Sequence, residues 1–207
     1  MKVKGILVVV SGFSGAGKGT VMKMLLEKYN NYRLSISATT RKPREGEENG
    51  REYFFKTKEE FEKMIEENRL IEYADYVGNY YGTPRDYVEK QLECGKDVIL
   101  EIELQGALQV KEKFPETLLV FLTPPCAQEL KARLEGRGTE DNNTIMARLK
   151  RAAEEAAYMD RYDCVLINDN LEKCVDDLHG IIQSEHWKAG RNKELIDKMR
   201  GELETLK

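Results

Sequence analysis

Runs of apolar residues recur along the chain without the alternation that marks a half-exposed strand. The first run is Ile6–Val10, and similar runs are centred in 97–102, 117–122 and 164–167. A continuous apolar run is typical of a strand that is covered on both faces, as the strands of a parallel sheet are. The pattern therefore predicts a buried parallel sheet that contains these strands.

Between the runs, the spacing of apolar positions changes to that of amphipathic helices. Helices are predicted at 20–29, 85–94, 105–114, 128–137, 144–159 and 171–186. Alternating strands and helices are typical of βαβ units with right-handed crossovers. The predicted fold class is therefore α/β, with a mostly parallel sheet flanked by helices.

Two segments break this alternation. Residues 35–83 combine a polar loop, a short aromatic strand at 53–55, a helix that begins at a capping box of Thr57 and Glu60, and an aromatic, strand-like segment at 70–81. We expect this region to be a small mixed α+β insert. The charged, glycine-containing stretch around 134–143 is typical of a mobile lid.

The last twenty residues place four apolar side chains at helical spacing, although Gly201 weakens the helix. These side chains are Ile196, Met199, Leu203 and Leu206. We expect a terminal helix that docks on its own domain, and a contact between subunits is the alternative.

The composition narrows the class of protein. A chain of 207 residues fits one domain, and Lys+Arg 33 against Asp+Glu 37 gives a net charge of −4, too near balance for binding nucleic acid mainly by bulk charge. The four cysteines match no zinc or redox spacing. No segment approaches the roughly 20 apolar residues of a membrane helix, and no secretory leader is evident. We expect a cytoplasmic protein with reduced thiols and no nucleic-acid or membrane partner.

The predicted organisation is a core at 1–34, 84–133 and 144–186, an insert at 35–83, a lid at 134–143 and a C-terminal helix at 187–207.

A glycine-rich turn, GFSGAGKGT at 12–20, joins the first predicted strand to the first predicted helix. Small residues let backbone N–H groups converge on an anion, the helix N-terminus adds a positive dipole, and Lys18 supplies charge to β- and γ-phosphates. Gly19 stands where the usual P-loop has Ser or Thr, so Mg²⁺ would be held mainly by phosphates and water. A purely structural turn is the alternative. The predicted phosphate-binding residues are Gly12, Ser14, Gly15, Ala16, Gly17, Lys18, Gly19 and Thr20.

Two arginines of the insert, Arg41 and Arg44, lie three apart beside Pro43. Guanidinium groups bind phosphate oxygens through paired hydrogen bonds, so these arginines suit a second phosphate that is not itself transferred. The hydroxyls of Tyr53 and Tyr81 can complete the same site. This pattern favours transfer to a second substrate over simple hydrolysis. A solvated basic loop is the alternative.

Together these motifs resemble the guanylate kinase family over nearly the whole chain. The resemblance is carried by 12–20, SATTRKPR at 37–44, NGREY at 49–53, Glu72, GNYYGT at 78–83, EIELQG at 101–106 and RLEGRGT at 133–139. It implies that ATP binds the glycine-rich loop with Mg²⁺, that GMP binds the insert, and that lid closure transfers the γ-phosphoryl group to give ADP and GDP. It further implies dGMP as an acceptor.

The resemblance also implies the residues that bind GMP. Glu72 would accept the two adjacent donors of guanine, N1–H and the exocyclic amine, whereas adenine presents an acceptor at N1. Ser37 and Thr83 would serve the same base. Glu103, an aspartate in many relatives, would reach toward the nucleoside. The phosphate of GMP would be held by Arg41, Arg44, Tyr53 and Tyr81.

On the donor side, the resemblance implies that Arg137, Arg148 and Arg44 join Lys18 around the transferring group. Asn168 would line the adenine pocket, with capping of the next helix as the alternative. Glu101 would lie near Mg²⁺ and its waters.

Two functional alternatives stay open. One is a non-catalytic binding module of the same shape, against which Lys18, Arg137 and Arg148 argue. The other is a kinase for a different nucleoside monophosphate, because GKGT at 17–20 also resembles the adenylate kinase loop. Glu72 argues against AMP as the acceptor.

Overall fold

The fold is described by a computed structural model over residues 4–76, 78–136 and 141–206. The strands of the described residues are β1 (Leu7–Gly12), β2 (Tyr32–Leu34), β3 (Ala38–Thr39), β4 (Phe54–Phe55), β5 (Leu70–Tyr76), β6 (Asn79–Pro84), β7 (Asp97–Glu101), β8 (Leu118–Thr123) and β9 (Cys164–Ile167). The helices are α1 (Lys18–Lys28), α2 (Lys58–Glu66), α3 (Arg85–Glu93), α4 (Leu104–Lys113), α5 (Ala127–Gly136), α6 (Asn142–Ala156), α7 (Leu171–His186) and α8 (Lys193–Thr205).

The core is a parallel sheet with the strand order β2-β7-β1-β8-β9. Val8, Val9 and Val10 at its centre are fully buried, as expected for a strand covered on both faces. The α/β fold class and the four strands predicted from the apolar runs are therefore confirmed. The fifth strand, β2, went unpredicted because its three residues are too few to show a pattern.

The insert forms a second, mixed sheet with the order β4-β3-β6-β5. The strand-like segment predicted at 70–81 is a pair of antiparallel strands, β5 and β6. The capping box is confirmed, because the Glu60 backbone N–H donates to Thr57 Oγ1 at 3.1 Å and the Thr57 N–H donates to Glu60 Oε2 at 2.8 Å. A small apolar cluster of the insert, separate from the main core, comprises Ala38, Phe61, Met64 and Leu70.

The carboxyl ends of the parallel strands share one edge of the core sheet, which is where α/β folds bind ligands. The turn after β1, the residues after β7 and the start of α7 all lie at this edge. This edge therefore brings together segments that are far apart in the sequence.

The terminal helix α8 is present, but the expectation that its apolar face docks on the domain is wrong. None of the residues in α8 is buried in the described structure, and Met199 and Leu203 are 47% and 55% exposed. Its principal neighbour is the short helical turn at 189–192. Gly201 does not interrupt the helix. No helix within the described ranges has the length and apolar character to cross a bilayer.

Candidate functional site

A cleft of about 420 Å³ opens at the carboxyl edge of the core sheet, between β1 and α1. Its lining consists of Phe13, Ser14, Gly15, Gly17, Lys18, Gly19, Thr20 and Glu101. The structure therefore gathers most of the predicted phosphate-binding residues, together with the acid predicted near Mg²⁺, around one cavity.

The shape of the loop depends on glycine at two positions. A Cβ on Gly12 would lie 2.1 Å from the backbone oxygen of Leu122 in the neighbouring strand. Gly17 has φ +93°, in the left-handed region, and a Cβ there would lie 2.5 Å from Asn168 Nδ2. Because both positions exclude a side chain, the backbone can turn tightly at the helix N-terminus.

Lys18 folds back over this loop. Its Nζ donates to the backbone oxygen of Gly12 at 2.6 Å and to that of Phe13 at 3.3 Å. These bonds hold the ammonium group at the cleft, where its charge can meet phosphate oxygens. From α6, Arg148 Nη1 donates to Ser14 Oγ, so a second predicted catalytic cation also reaches the loop.

Asn168 supports the loop from behind and does not cap the following helix. Its Nδ2 donates to the backbone oxygen of Ala16 at 2.8 Å, and the residue is buried. The cap of α7 is Asn170, which accepts the Lys173 N–H at 3.0 Å. The capping alternative for Asn168 is therefore wrong. Arg133 Nη2 donates to the Asn168 backbone oxygen at 2.9 Å and so links α5 to this support.

Glu101 is the last residue of β7 and lines the cleft, and Glu103 follows it two residues later. Burial raises the pKa of Glu101, the nearby Lys18 charge opposes that effect, and Glu103 adds to it. Glu103 precedes α4 and is exposed. No group of three or more His, Cys, Asp or Glu side chains in the described ranges could hold a metal ion. A single carboxylate beside a phosphate-binding loop is a donor set that fits Mg²⁺ held mainly by phosphates and water.

Glu72 lies in the insert with 5% of its surface exposed. Thr83 Oγ1 donates to Glu72 Oε1 at 2.7 Å, which joins two of the residues predicted to bind the base. Burial raises the pKa of Glu72, and the Thr83 hydrogen bond and the Lys113 charge oppose this effect. A Cβ on Gly106 would lie 3.2 Å from Glu72 Oε2, so α4 begins directly beside this carboxylate. Since α4 follows Glu101 and Glu103, the buried carboxylate and the loop cleft are neighbours.

Arg41, Tyr53 and Tyr81 lie together, as predicted. The Arg41 guanidinium is 5.3 Å from the Tyr53 ring centroid, and the Tyr53 and Tyr81 ring centroids are 6.1 Å apart. Ser37 flanks β3, where its backbone oxygen accepts from Phe54 N–H at 2.8 Å. Arg44 is exposed on the same loop as Arg41.

The sequence prediction missed Glu47. Its Oε1 accepts from Arg41 Nη2 at 2.9 Å, and its Oε2 accepts from the Arg44 backbone N–H at 2.7 Å. The hydrogen bond from Arg41 lowers the pKa of Glu47. The signal available in the sequence was that Glu47 lies close to Arg41 and Arg44 in the polar loop, and this did not distinguish Glu47 from the neighbouring acids.

Arg137, the predicted catalytic arginine of the lid, lies outside the described residues.

The two histidines of the chain have structural partners. The ring of His179 stacks on Tyr29 with centroids 3.8 Å apart, and His186 Nε2 lies 2.9 Å from Asp97 Oδ1. The four cysteines are free thiols. None of these residues is among those that line the cleft.

Comparison with known proteins gives consistent results. The family profile described as guanylate kinase matches residues 4–185. The chain is 50% identical over 202 residues to a curated guanylate kinase of Caldanaerobacter subterraneus subsp. tengcongensis, covering 98% of each chain. It is 56% identical over 191 residues to that of Oceanobacillus iheyensis, covering 92% of this chain and 93% of the relative. The crystal structure of guanylate kinase from Anaplasma phagocytophilum aligns with a TM-score of 0.74 at 33% identity, covering 96% of each chain.

Proposed function

The chain belongs to the guanylate kinase family and is an ATP-dependent nucleoside monophosphate kinase, and we propose that it transfers the γ-phosphoryl group of ATP to GMP, and to dGMP, through the two neighbouring parts of the site. The glycine-rich loop is the donor part, the insert at 35–83 is the acceptor part, and 134–143 is the lid. The observation that carries this proposal is the position of α4, which begins beside Glu72 and follows the carboxylates of the loop cleft.

The donor part binds the triphosphate through backbone N–H groups at the start of α1. Lys18 exchanges its bonds to the loop carbonyls for bonds to β- and γ-phosphate oxygens, which needs only a small movement of Nζ. Arg148 approaches the same oxygens from α6. Asn168 supports the loop through its hydrogen bond to the Ala16 backbone oxygen and lines the adenine pocket. When bound, Mg²⁺ would neutralise phosphate charge, with Glu101 placed to hold its waters.

The acceptor part recognises guanine through Glu72. In its ionised form this carboxylate accepts from N1–H and the exocyclic amine, while Thr83, which already binds Oε1, fixes its orientation. Ser37 completes the base pocket, and Glu103 contacts the nucleoside. The GMP phosphate replaces the Glu47 carboxylate on Arg41, beside Arg44, Tyr53 and Tyr81.

The transfer itself needs positioning and charge neutralisation more than proton transfer. The attacking oxygen belongs to a phosphate that is already ionised, so no general base is required. Lys18, Arg44, Arg137 and Arg148 neutralise the equatorial oxygens of the transferring group. Closure of the lid excludes water, which would otherwise accept the phosphoryl group. Both substrates are cytoplasmic nucleotides, so the proposed location is the cytoplasm.

A coupled ADP-release assay with alternative acceptors tests the proposal. GMP and dGMP are expected to support turnover with ATP and Mg²⁺. AMP and UMP are expected to fail because their bases lack the pair of donors that Glu72 accepts. IMP keeps N1–H but lacks the exocyclic amine, so it is expected to be a poor acceptor. Equal use of AMP and GMP would refute the acceptor assignment, and absence of any turnover would favour a binding module.

A further inference from the structure

A chain of three charged side chains, Glu103, Arg151 and Glu155, connects α6 to the start of α4. Arg151 Nε donates to Glu155 Oε1 at 3.0 Å, and Arg151 Nη2 donates to Glu103 Oε2 at 3.0 Å. Arg151 and Glu155 are one helical turn apart on α6, whereas Glu103 is 48 residues away in the sequence. The chain therefore spans from the helix that carries Arg148 to the edge of the sheet beside the acceptor site.

Glu155 is the fixed end of this chain. Its side chain is 13% exposed, while those of Arg151 and Glu103 are 55% and 68% exposed. Burial raises the pKa of Glu155, and the hydrogen bond from Arg151 opposes that effect. A largely buried carboxylate needs a cation to offset its lost hydration, so Glu155 holds the guanidinium in one direction.

Glu103, at the other end of the chain of side chains, is held in place by Arg151. A free glutamate side chain loses rotamer entropy when it is held in one conformation. Arg151 orders Glu103 in advance through Oε2, and the second carboxylate oxygen can still accept a hydroxyl donor from the acceptor nucleoside. The ion pair between Arg151 and Glu103 is exposed and therefore contributes little to folding stability. The main consequence of this contact is the orientation of the Glu103 carboxylate.

We infer that Arg151 and Glu155 are positioning residues that orient Glu103 toward the nucleoside of the acceptor and so set the KM for GMP. This inference rests on the proposed function, because it deepens the part that Glu103 plays there. Arg151 need not touch either substrate. Its effect passes through the Glu103 carboxylate.

Steady-state kinetics of Arg151→Ala, Glu103→Ala and the double variant test the inference. Loss of the Glu103 contact itself is expected to raise the KM for GMP about tenfold, and loss of its exposed partner Arg151 about three- to fivefold, with the KM for ATP changed less than twofold. The double variant is expected to match Glu103→Ala, because Arg151 has nothing left to orient. Arg151→Lys keeps the charge but not the forked geometry, so an intermediate KM is expected.

Lys150→Ala is the matched control, since Lys150 is an exposed cation on the same helix. It should leave both KM values and the unfolding temperature unchanged. Glu103→Ala should also unfold within a few degrees of the unmodified protein, whereas Arg151→Ala removes the cation that pairs with the largely buried Glu155 and is expected to unfold at a lower temperature. The inference is overturned if Arg151→Ala leaves the KM for GMP unchanged, if it raises the KM for ATP equally, or if the effects of Arg151→Ala and Glu103→Ala add. None of these outcomes affects the proposed function, which stands or falls with turnover of GMP by the unmodified protein.

Discussion

At the scale of single residues, Lys18 illustrates how the protein positions a cation at the cleft with no ion pair to an acidic side chain of the described residues. Its bonds go to backbone oxygens of the loop, which are weaker competitors than a carboxylate. We expect Lys18→Met to lower kcat about 100- to 1000-fold, the usual effect of removing one group that stabilises transition-state charge. Coupled kinetics measure kcat, and calorimetry should show GMP binding preserved. Lys23→Met, an exposed position on α1, is the control, and a normal kcat for Lys18→Met would remove Lys18 from the donor site.

Glu72 makes a separate prediction about base selectivity. In Glu72→Gln, the amide presents an N–H₂ group to one of the two guanine donors, so GMP binding is expected to weaken about 100-fold while ATP binding is preserved. The free variant should unfold at no lower temperature. The reason is that burial raises the pKa of Glu72, so its ionised form opposes folding at neutral pH. Equal losses for GMP and ATP would contradict the assignment.

The raised pKa of Glu72 also predicts a pH dependence. The carboxyl takes up its proton at a higher pH than an ordinary glutamate, and the protonated form can no longer accept both guanine donors. The KM for GMP should therefore rise as the pH falls, beginning above the usual titration range of glutamate. The phosphate of GMP titrates equally in both proteins, so the ratio of KM values for Glu72→Gln and the unmodified protein isolates Glu72. A ratio that does not vary with pH would contradict this prediction.

The sequence predicted the roles of individual residues only where those residues belong to a recognisable motif. Lys18 and the loop glycines follow from local spacing, and Glu72 follows from the family resemblance. By contrast, the pairing of Arg151 with Glu103 joins positions 48 residues apart. The sequence shows the spacing of Arg151 and Glu155 on one helix, but only the packing of α6 against the sheet edge determines what the guanidinium meets.

At the scale of elements, the turn between β1 and α1 depends on Gly17 and on its support by Asn168. In Gly17→Ala, the alanine would be held in a left-handed backbone conformation, which costs about 1–2 kcal/mol. Its Cβ would also collide with Asn168 Nδ2. We expect ATP affinity to fall at least tenfold and the free energy of unfolding to fall by about 1–3 kcal/mol. Calorimetry and urea unfolding measure the two effects.

Gly180→Ala is the matched control for Gly17→Ala. Gly180 lies inside α7 with no atom within 4 Å of an added Cβ. Alanine is the better helix former, so this variant should gain up to about 1 kcal/mol of stability and keep its ATP affinity. Normal ATP affinity in Gly17→Ala would show that the loop tolerates a side chain there.

The elements with long apolar patterns were predicted closely, and the exceptions have physical reasons. The range of α7 was predicted as observed, whereas α6 ends at Ala156 because the chain turns into a short 3₁₀ helix at 159–161. The segment at 70–81 was predicted to be strand-like without its division into two strands, because the turn that includes Gly78 interrupts an otherwise aromatic pattern only briefly. Strand β3 has two residues, so its existence depends on its partners β4 and β6.

At the scale of the whole molecule, the site depends on the part of the chain before α8. The family profile ends at residue 185, and none of α8 is buried in the described structure. The segment between α7 and α8 is different, because Arg191 Nη2 donates to the Glu116 backbone oxygen at 2.5 Å and Arg191 Nε lies 3.3 Å from Glu185 Oε1. Those contacts tie this segment to α7 and to the residues that precede β8.

Deletion of residues 193–207 should therefore leave kcat and both KM values within twofold of the intact chain, with an unfolding temperature within a few degrees. Deletion of residues 187–207 also removes Arg191, which leaves the largely buried Glu185 without this cation, and we expect a lower unfolding temperature. Light scattering on both proteins measures whether the apolar face of α8 pairs two copies of the chain. If the shorter deletion abolishes activity and halves the molar mass, the site requires an assembly that α8 builds and is not independent of α8.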